Sequence, residues 1–206
     1  MKFIARICLA FALMLISQIA SAQVSDGIRV VDLRCEYTEN PTGIDISQPR
    51  LFWKLTGDKR GQRQTAYQIR VFSRAELARN VDLVSAGSPD LWDSGKVVSD
   101  ETLLIRYGGK KLESSQQVFW SVRVWDENDQ SSATSDLHTW TMGLLRDEDW
   151  KAKWICAQAA SDSLLLRKEF SVKAGLKRAT VHVTGLGQYE MSLNGAKVGK
   201  DLLAPG

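Results

Sequence analysis

The densest carboxylate chemistry in the chain lies in two short runs, Asp147-Glu148-Asp149 and Asp126-Glu127-Asn128-Asp129. A carboxyl pair roughly 6.5–9.5 Å apart could act as general acid and base on either side of a glycosidic bond. The first run sits inside the polar stretch Arg146–Lys153, between two apolar patterned regions, where solvated charge in a link is the simpler reading. The second suggests a calcium loop, but it lacks the regular ligand spacing and the distal Glu of an EF-hand, and a hairpin turn explains it better. No G-x-S-x-G elbow accompanies the Ser, His and Asp residues. Gly185-Leu186-Gly187 lacks the remainder of a dinucleotide fingerprint and precedes a strand pattern, so it reads as a turn. His138 and His182 stand alone, and no Cys/His spacing suits zinc. The residues thus nominate no catalytic group, no metal ligand and no cofactor. What remains is aromatic: Trp92, beside a turn, and Trp125, on the outward phase of its strand, could stack on a sugar ring or pack on a neighbouring domain.

The amino terminus belongs to a different category. Lys2 and Arg6 form a basic start, Ile7 to Ile19 is mostly apolar, and Ala20-Ser21-Ala22 is a small-x-small site. This is the layout of a secretory signal peptide, cut between Ala22 and Gln23, with an uncleaved membrane anchor as the rival reading. The apolar run is short for a membrane span of about 20 residues. The expectation is therefore an exported protein, periplasmic or extracellular, with no stable membrane span after cleavage. Losing Lys2 and Arg6 lowers the formal charge of +3 by two, and nothing then points to nucleic acid. Cys35 and Cys156 survive cleavage; an exported chain permits a disulfide, though free, buried thiols are favoured over pairing across 121 positions and two domains.

The elements that must position these residues are strands. Alternating apolar runs recur at Ile28–Glu36, Pro49–Leu55, Gln64–Ser73, Leu91–Val97, Thr102–Tyr107, Val118–Asp126 and Leu137–Gly143. Tyr67, Ile69 and Val71 share one face in the third, as do Trp120, Val122 and Val124 in the sixth, with Gln68, Arg70, Ser121 and Arg123 on the opposite phase. Trp53, Trp120 and Trp140 are expected in the core. Asn40-Pro41-Thr42-Gly43 reads as a turn, and Ala75–Val84 as a short helix or a loop insertion. About seven strands punctuated by turns predict an all-β fold over 25–145, an immunoglobulin- or fibronectin III-like sandwich, with a small closed barrel as the structural rival. Past the polar bridge, Leu164–Val172, Arg178–Thr184, Tyr189–Asn194 and Lys197–Gly199 again read as strands, and Asn194-Gly195 is a strong hairpin signal. This second unit, 150–206, is short of the roughly 100 residues of a usual sandwich. It is expected to be an incomplete β-domain, poorly ordered by itself.

The order of motifs resembles a family. Leu33-Arg34-Cys35-Glu36-Tyr37, Pro49-Arg50-Leu51-Phe52-Trp53, Leu91-Trp92-Asp93-Ser94-Gly95, Trp120-Ser121-Val122-Arg123-Val124-Trp125-Asp126, Trp140-Thr141-Met142-Gly143, Trp150-Lys151-Ala152-Lys153-Trp154 and Leu193-Asn194-Gly195 follow one another as in the amino-terminal, non-catalytic portion of bacterial α-L-rhamnosidases of glycoside hydrolase family 78. The resemblance implies a fibronectin III-like domain followed by a truncated jelly roll. It also implies a parent enzyme that removes terminal α-L-rhamnose with inversion, using acidic residues on a helical barrel. Rhamnose-containing glycans would then be partners through domains not present here, and no catalytic residue carries over. A non-catalytic carbohydrate-binding or structural β-module is the alternative.

Overall fold

The computed structural model describes residues 27–79, 89–157 and 163–199. The signal-peptide expectation, with its Ala22–Gln23 cut, lies outside the described residues. The chain divides into two compact units, one up to Trp150 and one from Lys151.

The first unit is a two-sheet sandwich. Its strands are β1 (Arg29–Cys35), β2 (Thr42–Ile44), β3 (Arg50–Thr56), β4 (Ala66–Phe72), β5 (Trp92–Asp93), β6 (Val97–Val98), β7 (Ile105–Arg106), β8 (Gln117–Trp125) and β9 (His138–Met142), with a short helix α1 (Ala75–Arg79) after β4. One sheet has the order β1-β3-β7 and the other β2-β9-β8-β4-β5, with β6 also on β4. All pairings are antiparallel except β2 with β9. Alternation, shifted in β1 by an irregularity between Val31 and Arg34, dictates which residues face the gap between the sheets. Val30, Leu33 and Cys35 of β1, Leu51 and Trp53 of β3, Tyr67, Ile69 and Val71 of β4, Trp120, Val122 and Val124 of β8, and Trp140 and Met142 of β9 are buried together. Removing this much apolar surface from water is the main force holding the sheets face to face.

Aromatic rings run through that core edge to face. Trp92 meets Tyr107 at 5.4 Å between centroids, Tyr107 meets Trp140 at 5.8 Å, and Trp140 meets Trp120 at 6.2 Å. Each such pair adds about 0.5–1.5 kcal/mol beyond burial. One buried polar group crosses the core edge at full satisfaction. The Gln64 amide accepts from Trp53 Nε1 at 3.0 Å and donates to the carbonyls of Ser99 (3.1 Å) and Glu101 (2.9 Å). Left unpaired, those atoms would each cost a desolvation penalty of about 1–3 kcal/mol.

Two local expectations change. The Thr102–Tyr107 strand shrinks to Ile105–Arg106, because Leu104 adopts φ 60° and the Trp53 amide donates to the Thr102 carbonyl, displacing the regular ladder. The Asn40–Gly43 turn is there in part, with Asn40 at φ 48°, but its second half begins the parallel strand β2. The Asn40 side chain secures that pairing by accepting the Thr139 amide at 2.8 Å.

The second unit contains one regular feature among its described residues, the hairpin of β10 (Ser192–Leu193) and β11 (Ala196–Lys197). Asn194 (φ 50°) and Gly195 (φ 82°) both take left-handed conformations, as a type I′ turn requires. The expected strands at Leu164–Val172 and Arg178–Thr184 are not formed. No described residue of this unit is buried, and Leu165 is 98% and Phe170 67% exposed. Alternation is there, but no described strand pairs with these segments.

Candidate functional site

The carboxylates settle first, because each acidic run is held by bonds of its own. Asp149 lies in a one-turn 3-10 helix, Asp147–Asp149, and receives Arg146 Nε at 3.2 Å, Arg146 Nη2 at 2.9 Å and the Ser114 hydroxyl. The Ser114 oxygen in turn accepts the Leu145 amide at 2.9 Å. The Arg146 guanidinium and the Ser114 hydroxyl hold the Asp149 carboxyl down at about 2. This is a clasp that ties the loop before β8 to the chain after β9, and a carboxylate so held is a poor proton donor near neutrality. Asp126 closes its hairpin by accepting the amides of Asn128 (2.9 Å) and Gln130 (2.8 Å) through Oδ1. The hairpin is thus closed by an Asx turn on its own backbone amides. Among the described residues no group of three or more His, Cys, Asp or Glu side chains could hold a metal ion.

The two cysteines among the described residues are both free. Cys35 is buried, and burial pushes its thiol up to about 12, whereas Cys156 is exposed rather than buried as expected.

The structure separates the two tryptophans singled out by the sequence. Trp92 pairs with Val71, on the core-facing phase of the large sheet, and its ring lies against Tyr107 and Gly108. A Cβ on Gly109 would stand 2.5 Å from that of Trp92, so only glycine permits this approach. Trp125 pairs with Ala66 and belongs to the opposite phase, sharing the outer face with Ser121 and Arg123. The Lys96 ammonium sits over its ring at 4.9 Å and also pairs with Asp129. One face of the Trp125 ring is therefore already occupied by a cation.

That outer face holds a second group of residues. Register sets Gln68 against Arg123 and Arg70 against Ser121 on the central strands β4 and β8, so the two arginines are diagonal neighbours. A cleft of about 510 Å³ opens over them, with Phe119 and Ser121 in its floor. Helix α1 forms one wall through Ala75 and Ala78, and Thr134, Ser135 and Thr139 line the other. Arg123 Nη2 donates to Thr134 Oγ1 at 3.0 Å, and Arg70 Nε stands 3.8 Å from Asp93 Oδ2, beyond hydrogen-bond distance. Both Nε atoms are buried without a hydrogen-bond partner. Strand alternation already assigned Arg70 and Arg123 to the outward phase. That they meet depends on the pairing of β4 with β8, about 50 residues apart, which no local pattern reveals.

Comparison with known proteins gives this geometry its context. Residues 30–146 match a family model described as the Rha78A-like, N-terminal immunoglobulin domain, and residues 174–206 match one for the alpha-L-rhamnosidase N-terminal domain. An alpha-L-rhamnosidase of Streptomyces avermitilis is 42% identical over 64% of this chain and 12% of its own length. One from Alteromonas sp. is 39% identical and one from Formosa agariphila 34%, the matches covering 81% and 82% of this chain and 19% of each relative. Among solved structures, the Streptomyces avermitilis enzyme complexed with L-rhamnose superposes with a TM-score of 0.58 at 42% identity, over 64% of this chain and 12% of that one. The Dictyoglumus thermophilum enzyme gives 0.57 at 43% identity, over 62% and 14%. The chain thus spans less than a fifth of the length of these relatives.

Proposed function

The chain belongs to the family of Rha78A-like N-terminal immunoglobulin domains, and from that premise we propose that it serves as the accessory front of an exported α-L-rhamnosidase. In this reading the parent enzyme hydrolyses terminal α-L-rhamnose from glycans with inversion. The 206 residues supply the sandwich and the opening part of the next β-domain rather than the reacting groups. The observation that carries it is the succession of two rhamnosidase amino-terminal matches in one chain whose acidic clusters are engaged in a clasp and a turn. Met1–Ala22 supports export, by its basic start, apolar run and small-residue cleavage site. Among the described residues no helix is long and apolar enough to cross a membrane. Residues 150–206 are assigned in the same proposal to the truncated jelly roll. Trp125, half-buried with Lys96 over one ring face, keeps a place in it as a contact for sugar or a neighbouring domain; Trp92 is the weaker contact, its ring being engaged with Tyr107.

The test is release of p-nitrophenol from p-nitrophenyl α-L-rhamnoside. This chain alone should release none above the uncatalysed rate, and the reading frame extended to the length of the relatives should release it readily. Turnover by the 206 residues alone would sink the proposal.

A further inference from the structure

We propose that the cleft between α1 and the 134–139 segment binds an acidic sugar unit, a pyranose carrying a carboxylate, with Arg70 and Arg123 as its anion contacts. Three features carry the inference. First, both guanidiniums line the cleft with a donor to spare. Their Nε atoms are buried and make no hydrogen bond, and leaving such a donor unmade is costly. Asp93 forms only a loose ion pair with Arg70: its Oδ2 lies 3.8 Å from Nε, beyond hydrogen-bond distance, while its Oδ1 accepts Gln68 Nε2 at 2.7 Å and the Gly95 amide at 2.9 Å, so the Arg70 Nε donor stays unmade. A carboxylate is the ligand group whose geometry matches a guanidinium fork.

Second, the lining suits a ring with hydroxyls. Phe119 offers an apolar face, Ser121 and Thr134 offer hydroxyls, and about 510 Å³ falls within the range of small-ligand sites. Third, the location disfavours a peptide. The cleft lies over the middle of the large sheet, where β4 and β8 pair along their whole facing lengths from Ala66–Trp125 to Phe72–Phe119. An added strand would find no free backbone groups there, so the ligand must be read by side chains alone.

The proposal stands apart from the rhamnosidase reading, and no arm of its test uses a rhamnoside. Isothermal titration of the full chain with methyl β-D-glucuronide should saturate. The uncharged methyl β-D-glucoside should bind about tenfold or more weakly, since it forfeits charge-assisted bonds. Arg123→Met and Arg70→Met should each weaken the glucuronide by a similar factor. Ala75→Leu, which leaves both arginines in place and fills the cleft, should abolish binding with the melting curve of the sandwich unchanged. Failure of the glucuronide to bind would overturn the proposal. So would equal binding of the glucoside, indifference of the arginine variants in folded protein, or sodium sulfate competing as strongly as the glucuronide itself, which would mark an anion contact with no sugar specificity.

Discussion

The two units of this chain are written in similar language and come out differently. Val118–Asp126 and Leu164–Val172 are both short, apolar-rich runs. The first becomes β8, flanked by β4 and β9, with Val118, Trp120, Val122 and Val124 all but inaccessible to solvent. The second forms no strand among the described residues and leaves Leu164, Leu165, Leu166 and Phe170 exposed. A strand is stabilised by the side chains and backbone groups of its neighbours more than by its own preferences. The contrast isolates that term: both runs are apolar-rich, and paired neighbours are present in one case and absent among the described residues in the other. An isolated two-stranded hairpin is marginal in water, and β10–β11 is the only ladder among the described residues of the second unit.

The largest effect that would break or sharpen this contrast comes from paired truncations. Trp120→Ala removes a fully buried ring packed on Trp140 and should destabilise the first unit by about 3–5 kcal/mol in denaturant unfolding. The lower end is expected, because Trp120 Nε1 is buried without a partner and its removal relieves an unmade hydrogen bond. Phe170→Ala removes a ring of similar kind that is 67% exposed, and should change stability by no more than about 0.5 kcal/mol. If the two substitutions cost the same, the second unit has a core, and the contrast fails.

The same contrast explains what was legible from residues alone. The strands of the first unit were readable because period-2 alternation and burial coincide there: Tyr67, Ile69 and Val71 face inward as the pattern dictates. Asn194-Gly195 was readable because a type I′ turn is a property of two adjacent residues. The strands expected at Leu164–Val172 and Arg178–Thr184 do not form, because alternation states which face a strand would bury and not whether a partner exists. The pattern overdraws β7 for a related reason, since the left-handed backbone of Leu104 and the Trp53–Thr102 bond across the sheet depend on distant segments. The site shows the same limit. The tryptophans were placed on strands correctly, yet Lys96 over Trp125 and the meeting of Arg70 with Arg123 arise from register between distant segments.

A chemical version of the comparison lies in the thiols. Cys156 is exposed and should react with a thiol reagent in native protein at pH 8, while Cys35, buried and pushed up to about 12, should react only on unfolding. Alkaline pH should act on the first unit by the same route. Cys35 and Tyr107 both have thiol or phenol groups raised to about 12 by burial, from 9.0 and 10.0 respectively. Between those limits the unfolded chain releases protons that the folded one retains. The stability from burying the neutral forms is therefore complete below about pH 9 and is lost as pH rises towards about 12. A melting temperature that stays flat from pH 8 to 11 would contradict this account of Cys35.

The smallest expected effect separates the units through two glycines of the same conformation. Gly95 turns the chain between β5 and β6 at φ 62°, and Gly195 turns it between β10 and β11 at φ 82°; neither would bring an added Cβ within 4 Å of another group. Alanine at either position therefore meets no clash, and its cost is conformational alone, about 1–2 kcal/mol for a left-handed residue with a side chain. Where that cost is felt should differ. β5 and β6 both pair with β4 at the centre of the sandwich, so Gly95→Ala should lower the cooperative melting temperature of the first unit by several degrees. Gly195→Ala strains a two-residue ladder with no buried residue beside it among the described ones, and should only speed amide exchange at the 2.8 Å hydrogen bond from the Val198 amide to the Met191 carbonyl. Equal shifts of the main transition by the two variants would show that the hairpin shares the cooperative unit of the sandwich, and that the second unit draws its order from the first.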